Sequence, residues 1–263
     1  MKRYVLTLIR FWSTAIAAQL EYKANVVVDL VSIIGSLVGT LFVLSLFFRE
    51  GSQLGGWSWE EAIIVQGVYT FLSGVSSTFL RPNLTEIIKH IKEGTLDFVI
   101  LKPLDSQFWL STRAFEPVAG LPEMFVGILL ISWSSIELKI NLTFDLLVLS
   151  LLMLSSGVII LYSLWFIIAT TSIWFVQTQS ATEVLRSLLT AGRFPVSSYP
   201  NLVRIIFTLI IPVAFLTSVP AEAFLGKISI LTIFVSFIVS IMFFYISRKF
   251  WTYALKFYTS ASS

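Results

Sequence analysis

LLVLSLLMLSSGVIILYSLWFIIATTSIWFVQTQSAT, residues Leu146–Thr182, is the longest stretch of the chain without a charge. A helix rises about 1.5 Å per residue, so roughly 20 apolar residues cross a hydrocarbon core about 30 Å thick. This run is too long for one crossing and short for two crossings plus a turn. Its C-terminal part is more polar, and the run reads as one crossing over 145–171 extended by an amphipathic helix, Ile173–Leu189, on the inner side. How it is read sets the side of the membrane for everything that follows it.

Outward from it lie the uncharged runs Leu30–Phe48, Ala62–Leu80, Met124–Ile136, Ile205–Ala221 and Ile228–Ser247. Met124–Ile136 reaches spanning length only if its helix starts near Phe115 and carries Glu123 inside. The predicted crossings are therefore 24–48, 61–80, 115–136, 145–171, 203–221 and 227–247, in one membrane domain over 1–263. The fold class is all-α integral membrane with six transmembrane helices. With the amino terminus inside, 15 Lys and Arg residues fall on inner segments, and only Arg49, Lys139 and Lys227 fall outside. That bias places both termini in the cytoplasm, with a bacterial inner membrane the simplest setting. The net charge of +3 is then a topology signal, and nothing in it points to nucleic acid.

Composition excludes much chemistry. The chain is 56% hydrophobic and 13% charged, and its longest connection is shorter than a soluble domain. Zero cysteines remove disulfides, thiolate metal sites and a cysteine nucleophile, and His90 stands alone as a surface residue of an amphipathic helix. No Gly-rich loop followed by Lys-Ser/Thr is present to cradle a nucleotide, so neither catalysis nor a resident cofactor or metal is expected. Residues 1–19 show no cleavable signal pattern. Asn83-Leu84-Thr85 and Asn141-Leu142-Thr143 are chance glycosylation matches.

Between the runs, local signals assign parts. Residues 1–23 form an interfacial amphipathic helix whose polar stripe holds Arg3, Thr7, Arg10, Thr14, Ala17 and Glu21. Gly35, Ser36 and Gly39 form a small-residue face for close helix packing, and Gly67, Ser73, Gly74, Ser76 and Ser77 serve packing or a substrate path. The cytoplasmic loop 81–113 holds a short amphipathic helix, Leu84–Glu93, stopped by Gly94. Asp105 or Ser106 then caps the helix beginning near Gln107, and this compact, largely apolar segment is a docking surface. Pro117, Gly120 and Pro122 break the third crossing. Gly192–Pro200 is an inner loop, Pro212 kinks the fifth crossing, and Ser218–Gly226 dips back into the outer leaflet.

Glu123 is the best candidate for an ionisable group in the membrane span. With so few such groups, the energy for transport is expected from a partner nucleotidase. An ion-coupled secondary carrier would need buried charge, and a membrane-embedded lipid enzyme would need clustered acidic, His or Ser groups at one face.

The run Glu93-Gly94-Thr95-Leu96-Asp97-Phe98-Val99-Ile100-Leu101-Lys102-Pro103-Leu104-Asp105-Ser106-Gln107-Phe108 resembles the Gly-x-Leu-Asp…Leu-(Arg/Lys)-Pro-Leu-(Asp)-x-Gln segment of type-2 ABC exporter permeases. It looks like the small bacterial subfamily related to drug and viologen exporters. Tyr199-Pro200, Ile211-Pro212-Val213-Ala214-Phe215 and Val219-Pro220-Ala221 are similar to that subfamily's fifth-helix region. The resemblance implies a half-transporter without its own ATPase, exporting an amphipathic or lipid-like compound. It also implies a coupling helix after the second crossing and a re-entrant element between the fifth and sixth. The partners implied are a nucleotide-binding ATPase subunit carrying ATP-Mg, a second permease copy or homologue, and membrane lipid. Carried over residue by residue, Glu93, Gly94, Leu96, Asp97, Leu101, Pro103, Asp105 and Gln107 stand at or beside the ATPase contact. Lys102 stands where Arg is common, which weakens any bidentate contact there.

Overall fold

The computed structural model describes residues 12–13, 23–48, 53–175 and 178–259. The interfacial helix expected over 1–23 lies outside the described residues except for Trp12 and Ser13, which are helical. Trp12 stacks on Phe115 at 4.8 Å between ring centroids. Among the described residues all regular structure is helical. The elements are α1 Lys23–Leu46, α2 Trp59–Lys92, α3 Asp97–Ile100, α4 Ser106–Thr112, α5 Pro117–Glu137, α6 Phe144–Thr170, α7 Thr178–Thr190, α8 Asn201–Ile210, α9 Val213–Phe224 and α10 Ile230–Ala254.

α2 organises the bundle. Ser58 starts it with a capping box closed by Glu61. The expected loop at Arg81 does not exist, because the crossing and the amphipathic segment after it form one helix of 34 residues. Pro82 has no N–H to donate, and its ring opposes the Thr78 carbonyl. The helix answers by widening into a π turn over Ser76–Leu80. Thr78 O then accepts from the Glu116 N–H at 3.0 Å. Asn83 Nδ2 donates to Phe79 O at 2.6 Å and to Ala114 O at 2.8 Å, while its Oδ1 accepts from the Ala114 N–H at 2.8 Å. The proline is thus absorbed by the start of α5. A buried, fully bonded Asn83 has no room for a glycan.

α5 packs antiparallel to α2 at backbone distance. A Cβ added at Gly120 would lie 2.2 Å from Gly74 O, and one at Gly127 would lie 2.7 Å from Gly67 O. The seven-residue spacing repeats the contact two turns along. The expected break in the third crossing is absent: Pro117 takes the first helical position, where no N–H is needed, and Pro122 is carried inside a continuous helix. The packing expected of Gly35 and Gly39 is not found, since nothing lies within 4 Å of either Cβ position.

Two ends of the bundle can be named. At the Gly55 end, Ser134 Oγ donates to Glu60 O at 2.5 Å, tying α5 to the start of α2. At the Asp105 end, Arg248 of α10 meets Asp105. The turn Val196–Ser198 lies at the Gly55 end. Trp57 Nε1 donates to Ser197 Oγ at 3.0 Å, and Ser197 Oγ donates to Gly55 O at 2.8 Å. The segments 49–59 and 192–200 were expected on opposite sides of the membrane, and the structure puts them in contact. α6 ends at Thr170, and the chain then returns along α7 toward the Gly55 end. The amphipathic helix over Ile173–Leu189 was expected to extend the fourth crossing on the inner side. Arg186 and Thr190 of α7 line a cavity inside the bundle instead.

The expected fifth crossing, 203–221, is bent into two arms. α8 leaves from the Gly55 end, where Arg204 Nη2 bonds Ser197 O. The chain bends by 67° at Ile211-Pro212, and α9 returns to the same end. There Lys227 pairs with Glu61 at the head of α2. The two arms make a V whose tip reaches Gly157 in α6. Val213, Ala221 and Ala223 are fully buried, so protein packs against the second arm. By length and apolarity, Trp59–Lys92, Phe144–Ile173 and Ile230–Phe257 qualify as membrane spans, with the V a fourth if counted as one. The chain is a multi-pass membrane protein.

The glycine seam generates a direct test. An added Cβ at Gly120 would sit 2.1 Å from Thr78 Oγ1. Gly120→Ala should destabilise the detergent-solubilised protein by about 1–3 kcal/mol or more, read as a lower thermal midpoint. Gly39→Ala, with open space around it, should leave the midpoint unchanged. Equal midpoints for both variants would contradict the seam.

Candidate functional site

Two sites emerge, a platform at the Asp105 end and a cavity within the bundle. The platform begins where α2 stops. Gly94 has φ +67°, the left-handed conformation that glycine adopts without strain. The Thr95 N–H bonds His90 O at 2.9 Å and the Gly94 N–H bonds Ile91 O at 3.3 Å, a Schellman closure that turns the chain into α3. His90 is half-buried, contrary to its expected place on the surface. Its Nδ1 lies 2.7 Å from Thr95 Oγ1, and Arg113 Nη1 lies 3.4 Å from its Nε2. Trp109 receives two cations, Lys102 at 4.1 Å and Arg113 at 4.7 Å from the ring centroid.

The eight residues carried over to the ATPase contact separate into two groups. Leu96 (0% exposed) and Gln107 (4%) are interior. Gln107 Nε2 donates to Tyr162 Oη of α6 at 3.0 Å, and Arg248 Nη1 donates to Gln107 Oε1 at 3.2 Å. Asp105 caps α4 by accepting from the Phe108 N–H at 2.9 Å and is gripped by both Nη atoms of Arg248. Trp251 Nε1 adds a bond to Ser106 Oγ at 3.0 Å. These residues tie the platform to α6 and α10. Asp97, half-buried, opens α3, and Gly94 shapes the turn. Glu93, Leu101 and Pro103 face outward. Leu101 is 81% exposed and Phe98 68%, with Ile100 beside them. This is an apolar patch on a braced surface.

The cavity, about 360 Å³, lies between α1, α2, α5, α6, α7 and the tip of the V. Ser32, Ser36 and Thr40 supply its wall from α1, and Gln66, Thr70, Ser73 and Ser77 supply it from α2. The small residues of α2 therefore divide by face, glycines to the seam and serines to the cavity. Glu123, Arg81, Arg186 and Arg193 also line it. Ser73 donates to the Glu123 carboxylate, and the three arginines act on it electrostatically. Arg193 lies 5.2 Å over the Tyr69 ring and donates to Thr40 Oγ1 at 3.2 Å.

Sequence reasoning singled out Glu123 and placed the three arginines in cytoplasmic segments. The signal that could have joined them was present. Ser32, Ser36 and Thr40 recur every four residues within an apolar helix, and Arg186 and Arg193 are seven apart, on one helical face.

A family model described as ABC-2 family transporter protein matches residues 34–262, most of the chain. No curated protein matches the sequence.

The Asp105–Arg248 pair carries a pH signature. Burial alone would raise the Asp105 carboxyl, but the Arg248 hydrogen bond, the Phe108 N–H and the Arg248 charge outweigh it and hold the group below its ordinary range. The pair's contribution is therefore present above about pH 4, the unfolded value, and is lost as pH falls through the lowered folded value. Both side chains are partly exposed, so Arg248→Ala should cost only about 1 kcal/mol. Amide protection factors over residues 97–112, taken relative to intrinsic exchange at each pH, should fall in Arg248→Ala at neutral pH, and in the parent only on acidification. Identical exchange in parent and variant at neutral pH would contradict the brace.

Proposed function

Because the chain belongs to the ABC-2 family of transporter proteins, a membrane transport component rather than a catalyst, we propose that it is the six-crossing permease half of an exporter driven by a separate ATPase subunit. The crossings are α1, α2, α5, α6, α7 with its following turns, and α10, and the V of α8 and α9 is a re-entrant element in the outer leaflet. On this reading Lys and Arg divide twelve inside to four outside once Arg186 and Arg193 are counted in the cavity and Arg204 outside. The positive-inside rule then keeps both termini cytoplasmic, in a bacterial inner membrane, and the Asp105 end faces the cytoplasm.

The carrying observation is the exposed patch of Phe98, Ile100 and Leu101 on a platform bonded to α6 and α10. The ATPase docks there, with Glu93, Leu101 and Pro103 at the contact and Gly94, Leu96, Asp97, Asp105 and Gln107 holding its shape. Closure of the ATPase around ATP-Mg displaces the platform, and the Arg248 and Tyr162 links carry that displacement into the helices as a rigid-body movement. The exported compound is amphipathic or lipid-like, and the cavity is its path. The permease works as a dimer with a second copy or homologue, and the open α1 face at Gly35 and Gly39 is available for the close packing the monomer does not use. The charges in the cavity also suit an ion-coupled carrier, which would move its substrate without an ATPase. The docking test separates the two.

Co-expressed with its cognate ATPase, the parent protein should retain that subunit through purification. Phe98→Asp and Leu101→Asp should each lose most of it without lowering the thermal midpoint. Leu142→Asp, exposed on the loop at the opposite end, should retain it. Full retention in both platform variants would overturn the docking assignment.

A further inference from the structure

Of the described residues that line the cavity, more are positive than negative: Arg81, Arg186 and Arg193 face it against Glu123, a surplus of two positive charges among them. Among the described residues, Arg193 Nε and Glu123 Oε2 are buried with no hydrogen-bond partner. Charge in such a place is costly unless an opposite charge reaches it. A second hollow of about 620 Å³ shares Arg81, Trp165 and Arg186 with the first and extends toward the end of α2. It adds Lys89 and Lys92 against Glu93 and Glu183, and Glu183 lies 3.9 Å from Arg186. The second hollow adds as many negative as positive charges, so among the described residues the positive surplus of the route sits at Arg81, Arg186 and Arg193. Ile33, Leu37, Leu161, Val213 and Leu216 give the inner cavity an apolar side next to its charged one.

We propose that this cavity binds the anionic head of an amphiphile, a carboxylate or phosphate, with Arg186 and Arg193 as its ligands and the chain lying along the apolar side. The proposal rests on the permease reading and names the substrate class of that path. Arg81 and Arg186, shared by both hollows, receive the head at the inner cavity's mouth. Arg193, stacked on Tyr69, holds it deeper. Glu123 is the internal anion that keeps the arginines together while the cavity is empty, and the arriving head displaces its influence. A cationic amphiphile would meet three like charges against one carboxylate among the described residues, so the same geometry rejects it.

The test uses the full chain in nanodiscs of zwitterionic lipid, without ATPase. The probes are a dansyl-labelled long-chain fatty acid, the dansyl-labelled amine of equal chain length, and dansylglycine. The acid should bind about tenfold or more tighter than the amine, and Arg186→Gln and Arg193→Gln should each weaken it about tenfold. Glu123→Gln should tighten it, and dansylglycine should bind far more weakly than the acid. Displacement of the acid by anionic phospholipid in the disc identifies a bilayer headgroup as the source, and its persistence identifies a free amphiphile. Either result supports an anionic amphiphile. Amine binding as tight as acid binding in the parent protein overturns the proposal whether or not any variant folds. So does acid binding unchanged in both arginine variants, or dansylglycine binding equal to the acid. Retention of the ATPase is scored separately, so failure of this charge selectivity and failure of the permease reading give different results.

Discussion

Gly74 and Gly120 meet backbone to backbone, and the placement of both sites follows from that contact. It lets α2 and α5 run together closely enough for the Glu116 N–H to reach Thr78 O and for Asn83 to bridge to Ala114. Those bonds let one helix pass through Pro82 and continue beyond the bundle to the Schellman turn at Gly94. The same seam sets Glu123, one turn from Gly120, opposite Ser73 in the cavity wall. A side chain at either glycine would push α5 away, separating the platform's anchor and the Glu123 carboxylate from α2 together.

The polar bonds of the platform differ in kind from the seam. Asp105, Gln107 and Ser106 each bond to a side chain of α6 or α10, and all are partly or fully buried where the helices leave the apolar zone. Such bonds are directional, so a displacement of α4 must either carry Arg248 and Tyr162 with it or break several of them at once. A purely apolar contact would let α4 slide. This is the physical reason to read the segment as a lever.

Legibility in the sequence followed the length scale of the signal. The long apolar helices, the amphipathic segment ending at Gly94 and the cap at Asp105 are local patterns, and the chain carries them openly. Errors arose where two structures share one local pattern. An amphipathic helix extending a crossing on the inner side and one lining an internal cavity both show a polar stripe, so α7 was assigned to the wrong place. Its turn at Ser198 was assigned to the wrong end. An apolar run broken by proline reads as a kinked crossing, and residues 203–221 are divided into two arms by a bend of 67° at Ile211-Pro212. The prolines of α5 mislead in the opposite direction, because a first helical turn has no hydrogen bond for Pro117 to lose. The convergence of Arg81, Arg186 and Arg193 on Glu123 is a tertiary fact, visible only once α7 is known to return through the bundle.

That return is the central claim, because it puts the arginines inside and makes the cavity. With no native cysteine, nitroxide pairs can be placed cleanly at residues 53 and 198, and at 101 and 198. Pulsed electron–electron distance measurement in nanodiscs should give a short separation for the first pair. The second should give about 30–40 Å, the length of a crossing helix. A short 101–198 distance with a long 53–198 distance would place Ser198 at the platform end and contradict the account.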